Sequence, residues 1–152
     1  MQALIQSEDV YATAASVYMN SETEEVFLTA NIKNNSEEKI GDVTIAFVVW
    51  DADGNPVLIK SASGRTEDSY VKGVGMGDIE ISAGEEWLGD TEDDVYGLRL
   101  DPEQTNIAYV EAIVVSYTSQ SGEEWENPFY YSWRNAFEGK QLEDWMRSEP
   151  NS

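Results

Sequence analysis

Asp42-Val-Thr-Ile-Ala-Phe-Val-Val-Trp50 is the stretch on which the fold turns. Side chains alternate sides along a strand, so Val43, Ile45, Phe47 and Val49 occupy one face and Thr44, Ala46, Val48 and Trp50 the other. Both faces are largely apolar, which predicts a central strand covered on each side. Upstream, Glu25-Val-Phe-Leu-Thr-Ala-Asn-Ile32 sets Val26, Leu28, Ala30 and Ile32 against Phe27, Thr29 and Asn31, the half-buried pattern of an antiparallel sheet. Residues 10–19 and 107–117 are two further β-rich runs, and shorter candidates lie at 56–60, 77–81, 87–88 and 96–100.

The connectors agree with that reading. Asn34-Asn-Ser-Glu-Glu38 and Asp51-Ala-Asp-Gly-Asn-Pro56 are turn clusters; in the second, Gly54 supplies positive φ and Pro56 sets the entry to the next segment. Ser82-Ala-Gly-Glu85 and Ser119-Gln-Ser-Gly-Glu123 are two more. Short strands separated by such turns predict an antiparallel sandwich or barrel rather than βαβ units. Between 61 and 77 the hydrophobic period disappears, and a long exposed loop or irregular hairpin is expected. After Pro128 the period changes: Phe129, Trp133 and Phe137 share a helical face, with Asn127-Pro128 as cap and first-turn proline. Gly139 interrupts that helix, and Leu142, Trp145 and Met146 offer a second short apolar stripe. The expected architecture is one mainly β domain over 1–152: a sandwich over about 8–120, a helical segment over about 127–147 packed on it or across one open end, and a frayed tail at 148–152.

Composition narrows the chemistry. Of 152 residues, 41% are hydrophobic, enough for a core, while 30 acidic residues against 9 basic ones leave a formal charge of −21. Residues 1–76 carry 12 acids and 5 bases, net −7, and residues 77–152 carry 18 and 4, net −14. A chain this acidic repels phosphate backbones, so nucleic acid is not an expected partner. Histidine and cysteine are both absent, which removes Ser-His-Asp and Cys-His nucleophiles, zinc sites built on His or Cys, iron–sulfur ligation and disulfides. No apolar run approaches the roughly 18 residues a membrane helix needs, so direct membrane insertion is not expected either.

Hard, oxygen-ligated cations remain open. Asp51-Ala-Asp53-Gly-Asn55 begins like an EF-hand loop but places Pro56 where the loop needs Gly and Ala62 where it needs Glu, so an exposed hairpin is the better reading. Asp90, Glu92, Asp93 and Asp94 concentrate four carboxylates in five residues, a set that Ca2+ would neutralise; the plainer reading is a solvated acidic loop. Gly73-Val-Gly-Met-Gly77 lacks the spacing of either phosphate-binding glycine motif. With 30 acids, chance carboxylate pairs are common, and none has a recognisable catalytic spacing. No catalytic residue and no cofactor is assigned.

Phe47-Val-Val-Trp-Asp51, followed by Gly54 and preceded by Asn31-Ile-Lys-Asn-Asn-Ser36, resembles the F-x-L-Y-D pattern of immunoglobulin-like domains in surface lipoproteins and membrane-tethered proteins of Firmicutes and relatives. Val49 and Trp50 stand where that pattern has leucine and tyrosine, and Ser82-Ala-Gly-Glu85 resembles its later P-G-E turn with Ala83 for proline. Trp125-Glu-Asn-Pro-Phe-Tyr130 with Trp133 is similar to the W-x-N-P-Y-Y-x-x-W ending of related bacterial extracellular domains. The resemblance implies an immunoglobulin-like sandwich, an extracellular or envelope location, and no catalytic residue.

For Phe47, Trp50, Asp51 and Gly54 the residues themselves read as structural: a Trp filling the sandwich core and an Asp accepting turn N–H groups. Trp125, Phe129, Tyr130 and Trp133 read as strand exit and helix docking, with an aromatic ligand groove as the sharper alternative. The expected function is therefore a non-catalytic module that binds a protein or glycan, or acts as a spacer. The competing expectation is a cytoplasmic acidic inhibitor whose carboxylates imitate nucleic acid toward a basic protein.

Overall fold

The structure is a computed structural model that describes residues 9–19, 22–23, 25–60, 69–89, 97–101, 104 and 106–142. Two antiparallel sheets pack face to face. The first contains β1 (Val10–Met19), β2 (Val26–Asn34), β5 (Glu86–Trp87) and β6 (Leu98–Leu100), with β1 on one side of β2 and both short strands on the other. The second runs β4 (Val71–Ile81), β3 (Ile40–Trp50), β7 (Tyr109–Ser119) and β8 (Glu124–Glu126). One short helix, α1 (Tyr130–Phe137), follows β8.

The period of two decides what fills the interior. Val43, Ile45, Phe47 and Val49 of β3 meet Val26, Leu28, Ala30 and Ile32 of β2 in one cluster between the sheets. Val110 and Val114 of β7 and Met76, Ile79 and Ile81 of β4 complete it. β3 is central, paired with β4 on one side and β7 on the other, as its two apolar faces require.

The connection from β2 to β3, which crosses from one sheet to the other, is tied by one buried amide. The Asn34 side chain donates to the carbonyls of Glu38 and Ile81 and accepts from the N–H and hydroxyl of Ser36. Ile81 belongs to the opposite sheet, so this side chain joins the two layers as well as closing the turn.

Three departures from the sequence reading have physical causes. The expected irregular stretch 61–77 is strand from Val71 onward; residues 61–68 lie outside the described residues. Val74 and Met76 face the core while Gly73, Gly75 and Gly77 take the outward positions, so glycine hides the period that side chains would display. Residues 56–60 form no named strand, only isolated bridges from Pro56 to Trp50 and from Ile59 to Ser69, yet Val57 and Ile59 are buried. β8 has too few residues, two of them Glu, to show an alternating pattern.

The far edge of the first sheet is interrupted. β5 pairs with Ile32 and Lys33, and β6 pairs with Val26, Phe27 and Leu28. Gly89 and Gly97 both lie hard against this edge, where a Cβ would overlap the carbonyl oxygens of Ala30 and Leu28 respectively. The carboxylates Asp90, Glu92, Asp93 and Asp94, the proposed calcium set, lie between these glycines and outside the described residues.

Candidate functional site

The outer face of the second sheet is the part of the molecule where chemistry-bearing side chains gather. Ala46, Val48 and Trp50 of β3, Ile113 of β7 and Val71 of β4 form an apolar strip there, and α1 lays Trp133 across it. Phe129, Tyr130 and Phe137 pack around the same strip, joined by Tyr11 from β1 and by Tyr109 and Val115 from β7. Trp50 therefore does not fill the sandwich core as its place at a strand end predicts. It points to the opposite side, under the helix, because it falls on the face that holds Ala46 and Val48.

Ring geometry knits the cluster. Phe137 sits edge-on to Trp50 at 5.6 Å and to Trp133 at 5.7 Å, and Tyr130 stacks against Trp133 at 6.3 Å. Such offset and edge contacts add to the burial of the rings themselves.

Both ends of the helical segment are pinned to the sheet. At the start, Asn127 donates through Nδ2 to the Val114 carbonyl and through its main-chain N–H to Val115, while its Oδ1 accepts the Phe129 N–H. The cap differs from the expectation: Phe129 occupies the N-cap position with no side-chain bond, and Asn127 acts two residues earlier. At the end, Gly139 with φ of 66° turns the chain out of the helix. Trp50 Nε1 then donates to the Lys140 carbonyl at 2.9 Å, and the Leu142 N–H donates to Gly54 at 2.8 Å. Gln141 adds a bond to the Asp53 carbonyl.

The receiving turn is itself built by Asp51. Its Oδ1 accepts the N–H groups of Asp53 and Asn55, each at 2.9 Å, and Gly54 holds φ at 82°. Its side-chain oxygen is thus committed to turn N–H groups. Leu142 is buried in the cluster, whereas Trp145 and Met146, the rest of the expected second stripe, lie outside the described residues.

Of the four aromatics read as a ligand groove, the structure brings three together. Phe129, Tyr130 and Trp133 share the outer cluster, but Trp125 of β8 stacks on Tyr117 at 4.8 Å and packs against the inter-sheet core on the other face. Trp133 is fully buried. Tyr131, 75% exposed and tilted against Tyr130 at 5.5 Å, is the aromatic that meets solvent. Phe47 is fully buried in the inter-sheet core.

One residue of this face escaped the sequence reading. Glu111 stands on β7 opposite Val48, with Tyr109 and Ile113 as its neighbours along the same face. Burial pushes its carboxyl up to about 7. The signal was present: Glu111 is the single charge in Tyr109-Val-Glu-Ala-Ile-Val-Val-Ser-Tyr117, a run with apolar residues on both faces. On the exposed side of α1, Arg134 binds Glu138 through two bonds of 2.8 and 2.9 Å.

A shallow cleft of about 670 Å3 lies at the other end of the sheet, lined among others by Lys39, Asp42, Gly77, Glu80 and Thr118. Among the described residues no group of three or more Asp, Glu, His or Cys is placed to hold a metal ion. No helix among them is long and apolar enough to cross a membrane.

A family of unknown function, DUF5780, matches residues 27–140. The chain belongs to this family. The DUF5780 span runs from β2 to Lys140, so it takes in the central strands, α1 and the contact between Lys140 and Trp50. The fold is also similar to the 1.85 Å X-ray structure of a hypothetical protein from Peptoclostridium difficile 630. The TM-score is 0.66 at 13% identity, over 93% of this chain and 97% of the other. No curated protein matches the chain.

Proposed function

We propose that this DUF5780 protein is a non-catalytic, immunoglobulin-like module of a bacterial surface or secreted protein, working by binding a protein or glycan or by spacing other modules. The observation that carries the reading is strand order. β1, β2 and the split β5/β6 follow the A, B and E positions of an immunoglobulin-type sandwich, and β4, β3, β7 and β8 follow C′, C, F and G. The resemblance of Phe47-Val-Val-Trp-Asp51 to the F-x-L-Y-D pattern supports it. A partner would meet the exposed Tyr131 on α1 rather than the buried Trp133. Digestion of intact producing cells with an added protease tests the location: peptides of this chain released before lysis are expected, and complete protection until lysis would overturn the reading.

The charge of −21 favours a second reading, an acidic inhibitor of a basic nucleic-acid-binding protein in the cytoplasm. Its test is capture of such a protein at low salt with release at high salt, and capture that ignores salt counts against it.

A further inference from the structure

The cleft at the far end of the second sheet owes its floor to two glycines. Ile40, Ile81 and Tyr117 pack toward the inter-sheet core, so their neighbours Gly41, Glu80 and Thr118 face outward. These three stand in one row across the sheet, because Gly41 pairs with Glu80 of β4 and with Thr118 of β7. The middle of the row is bare backbone, with a carboxylate on one side and a hydroxyl on the other. Gly77 leaves the second gap, since a Cβ there would come within 3.1 Å of Asp42 Oδ1.

Asp42 reaches this floor through a break in both ladders. Between Gly41 and Val43 it stands alone opposite residues 77–79 of β4, and on the other side Asp42 and Val43 together oppose Tyr117 of β7. A bulge of this kind bends the strand and re-aims a side chain. The backbone at Asp42 is left-handed, with φ of 48°, and no other non-glycine residue among those described has a positive φ. Glycine would hold that angle without strain. The chain keeps a carboxylate there instead, and such strain gathers where ligands are held. Among the described residues no hydrogen bond or ion pair occupies that carboxylate.

The lining selects the chemistry of a ligand. Lys39 Nζ is 3.6 Å from Glu80 Oε2 with both side chains well exposed, so neither is held tightly. With Asp42, Thr118 and Gln120 the cleft offers acceptors, donors and groups that are both. An anion would meet two carboxylates on a chain of −21 charge. A metal ion finds no set of three ligands among the described residues, and an apolar ligand finds no aromatic ring in the lining. A neutral polyhydroxyl ligand fits: its hydroxyls donate to Asp42 and Glu80 and accept from Lys39 and Gln120, and one carboxylate can accept two neighbouring hydroxyls at once. The volume of about 670 Å3 lies within the range of small-molecule sites. Its shallow form leaves the far side of a ligand in water, as a stretch of a longer chain requires.

We propose that the bulge cleft built by Gly41, Asp42 and Gly77 is a saccharide site that takes a short stretch of neutral glycan, with Asp42 accepting hydroxyls of one sugar ring. It rests on the binding reading above only in choosing glycan over protein; the place of the chain in the cell is no part of it, so protection from an external protease would leave it standing.

Amide NMR of the whole chain, titrated with maltotriose, cellotriose and chitotriose to about 10 mM each, reaches millimolar binding and tests this. At least one sugar is expected to shift the Gly41, Asp42, Gly77 and Thr118 amides saturably. Asp42→Asn keeps the left-handed angle accessible but removes the charged acceptor, and should weaken that binding by about tenfold. Asp42→Gly relieves the backbone, so it should lose nothing in chemical-unfolding midpoint and yet lose the sugar, a split that a purely structural role for Asp42 would not produce. No saturable shift with any of the three sugars, shifts confined to residues outside the cleft, or undiminished binding by Asp42→Gly would overturn the proposal. So would a shift of the same amides by tri-lysine and by none of the sugars, which would make the cleft a cation site.

Discussion

Two tryptophans of the same cluster have opposite polar accounts. Trp50 donates its indole N–H to the Lys140 carbonyl, whereas that of Trp133 is buried without an acceptor. Replacing either with Phe removes similar volume, but only Trp50→Phe also leaves a carbonyl without its donor. Trp50→Phe is expected to destabilise by about 1 kcal/mol more than Trp133→Phe in urea unfolding; equal losses would mean the Lys140 bond adds nothing. Glu111 sets a pH dependence of known sign. Its folded value of about 7 lies above the ordinary 4.5, so the fold binds the proton more tightly than the unfolded chain. The contribution is fully present below about 4.5, falls as pH rises between the two values and is gone above about 7, an amount up to about 3 kcal/mol. Unfolding midpoints at pH 4.5 and pH 8 should differ more for the wild type than for Glu111→Gln. The Arg134–Glu138 pair pulls the other way, since Arg134 lowers the Glu138 carboxyl, but it is a surface i,i+4 pair and adds only a few tenths of a kcal/mol.

Elements in this protein are positioned by a few obligatory contacts at their ends. Asn34 closes the turn that carries the chain from β2 to β3 and reaches Ile81 across the layers; Asn34→Ala strips four hydrogen bonds from a buried site. A loss of about 2–3 kcal/mol is expected, read as a lower chemical-unfolding midpoint. The split edge strand depends on bare backbone at Gly89 and Gly97. Gly97→Ala drives a methyl into the Leu28 carbonyl and should cost about 3 kcal/mol. The contrast is Gly84→Ala, where a Cβ would meet nothing within 4 Å and only the backbone angle, φ 79°, opposes the change. A larger loss at Gly84 than at Gly97 would show that β6 does not lie this close to β2.

At the scale of the whole molecule, charge works against compactness. Thirty acids and nine bases leave −21 on a chain of 152 residues, and among the described residues three cations, Lys39, Arg99 and Arg134, are committed to ion pairs with Glu80, Glu25 and Glu138. Screening should therefore stabilise the fold. Raising NaCl from 20 mM to 500 mM is expected to increase Tm by about 3 °C or more, and a decrease would mean that attractive pairs outweigh the general repulsion. The same repulsion protects the short edge strand β8, whose Glu124 and Glu126 are both exposed and discourage pairing with another chain.

Much of this was legible in the order of residues, because a period of two and a turn are local properties. The two apolar faces of 42–50, the strands at 10–19 and 25–32, the turn at Asp51 and the helical spacing of Phe129, Trp133 and Phe137 all follow from neighbours within a few positions. What covers the second face of β3 is not local. Whether Trp50 fills the sandwich or lies under a helix some eighty residues later depends on how the sheets pair, and no pattern within 42–50 contains that. The first half of β4 escaped notice because glycine carries no side chain to mark its outward positions, and Glu111 because a lone acid in a strand looks fully solvated until the elements around it pack. The sequence by itself determined two-faced strands, a turn-rich antiparallel order and a chain without His or Cys. The tertiary structure alone decided that Trp125 and Trp133 sit on opposite faces of one sheet, and that Glu111 is half-buried on the face that carries Trp133, since both depend on contacts between residues far apart in the chain.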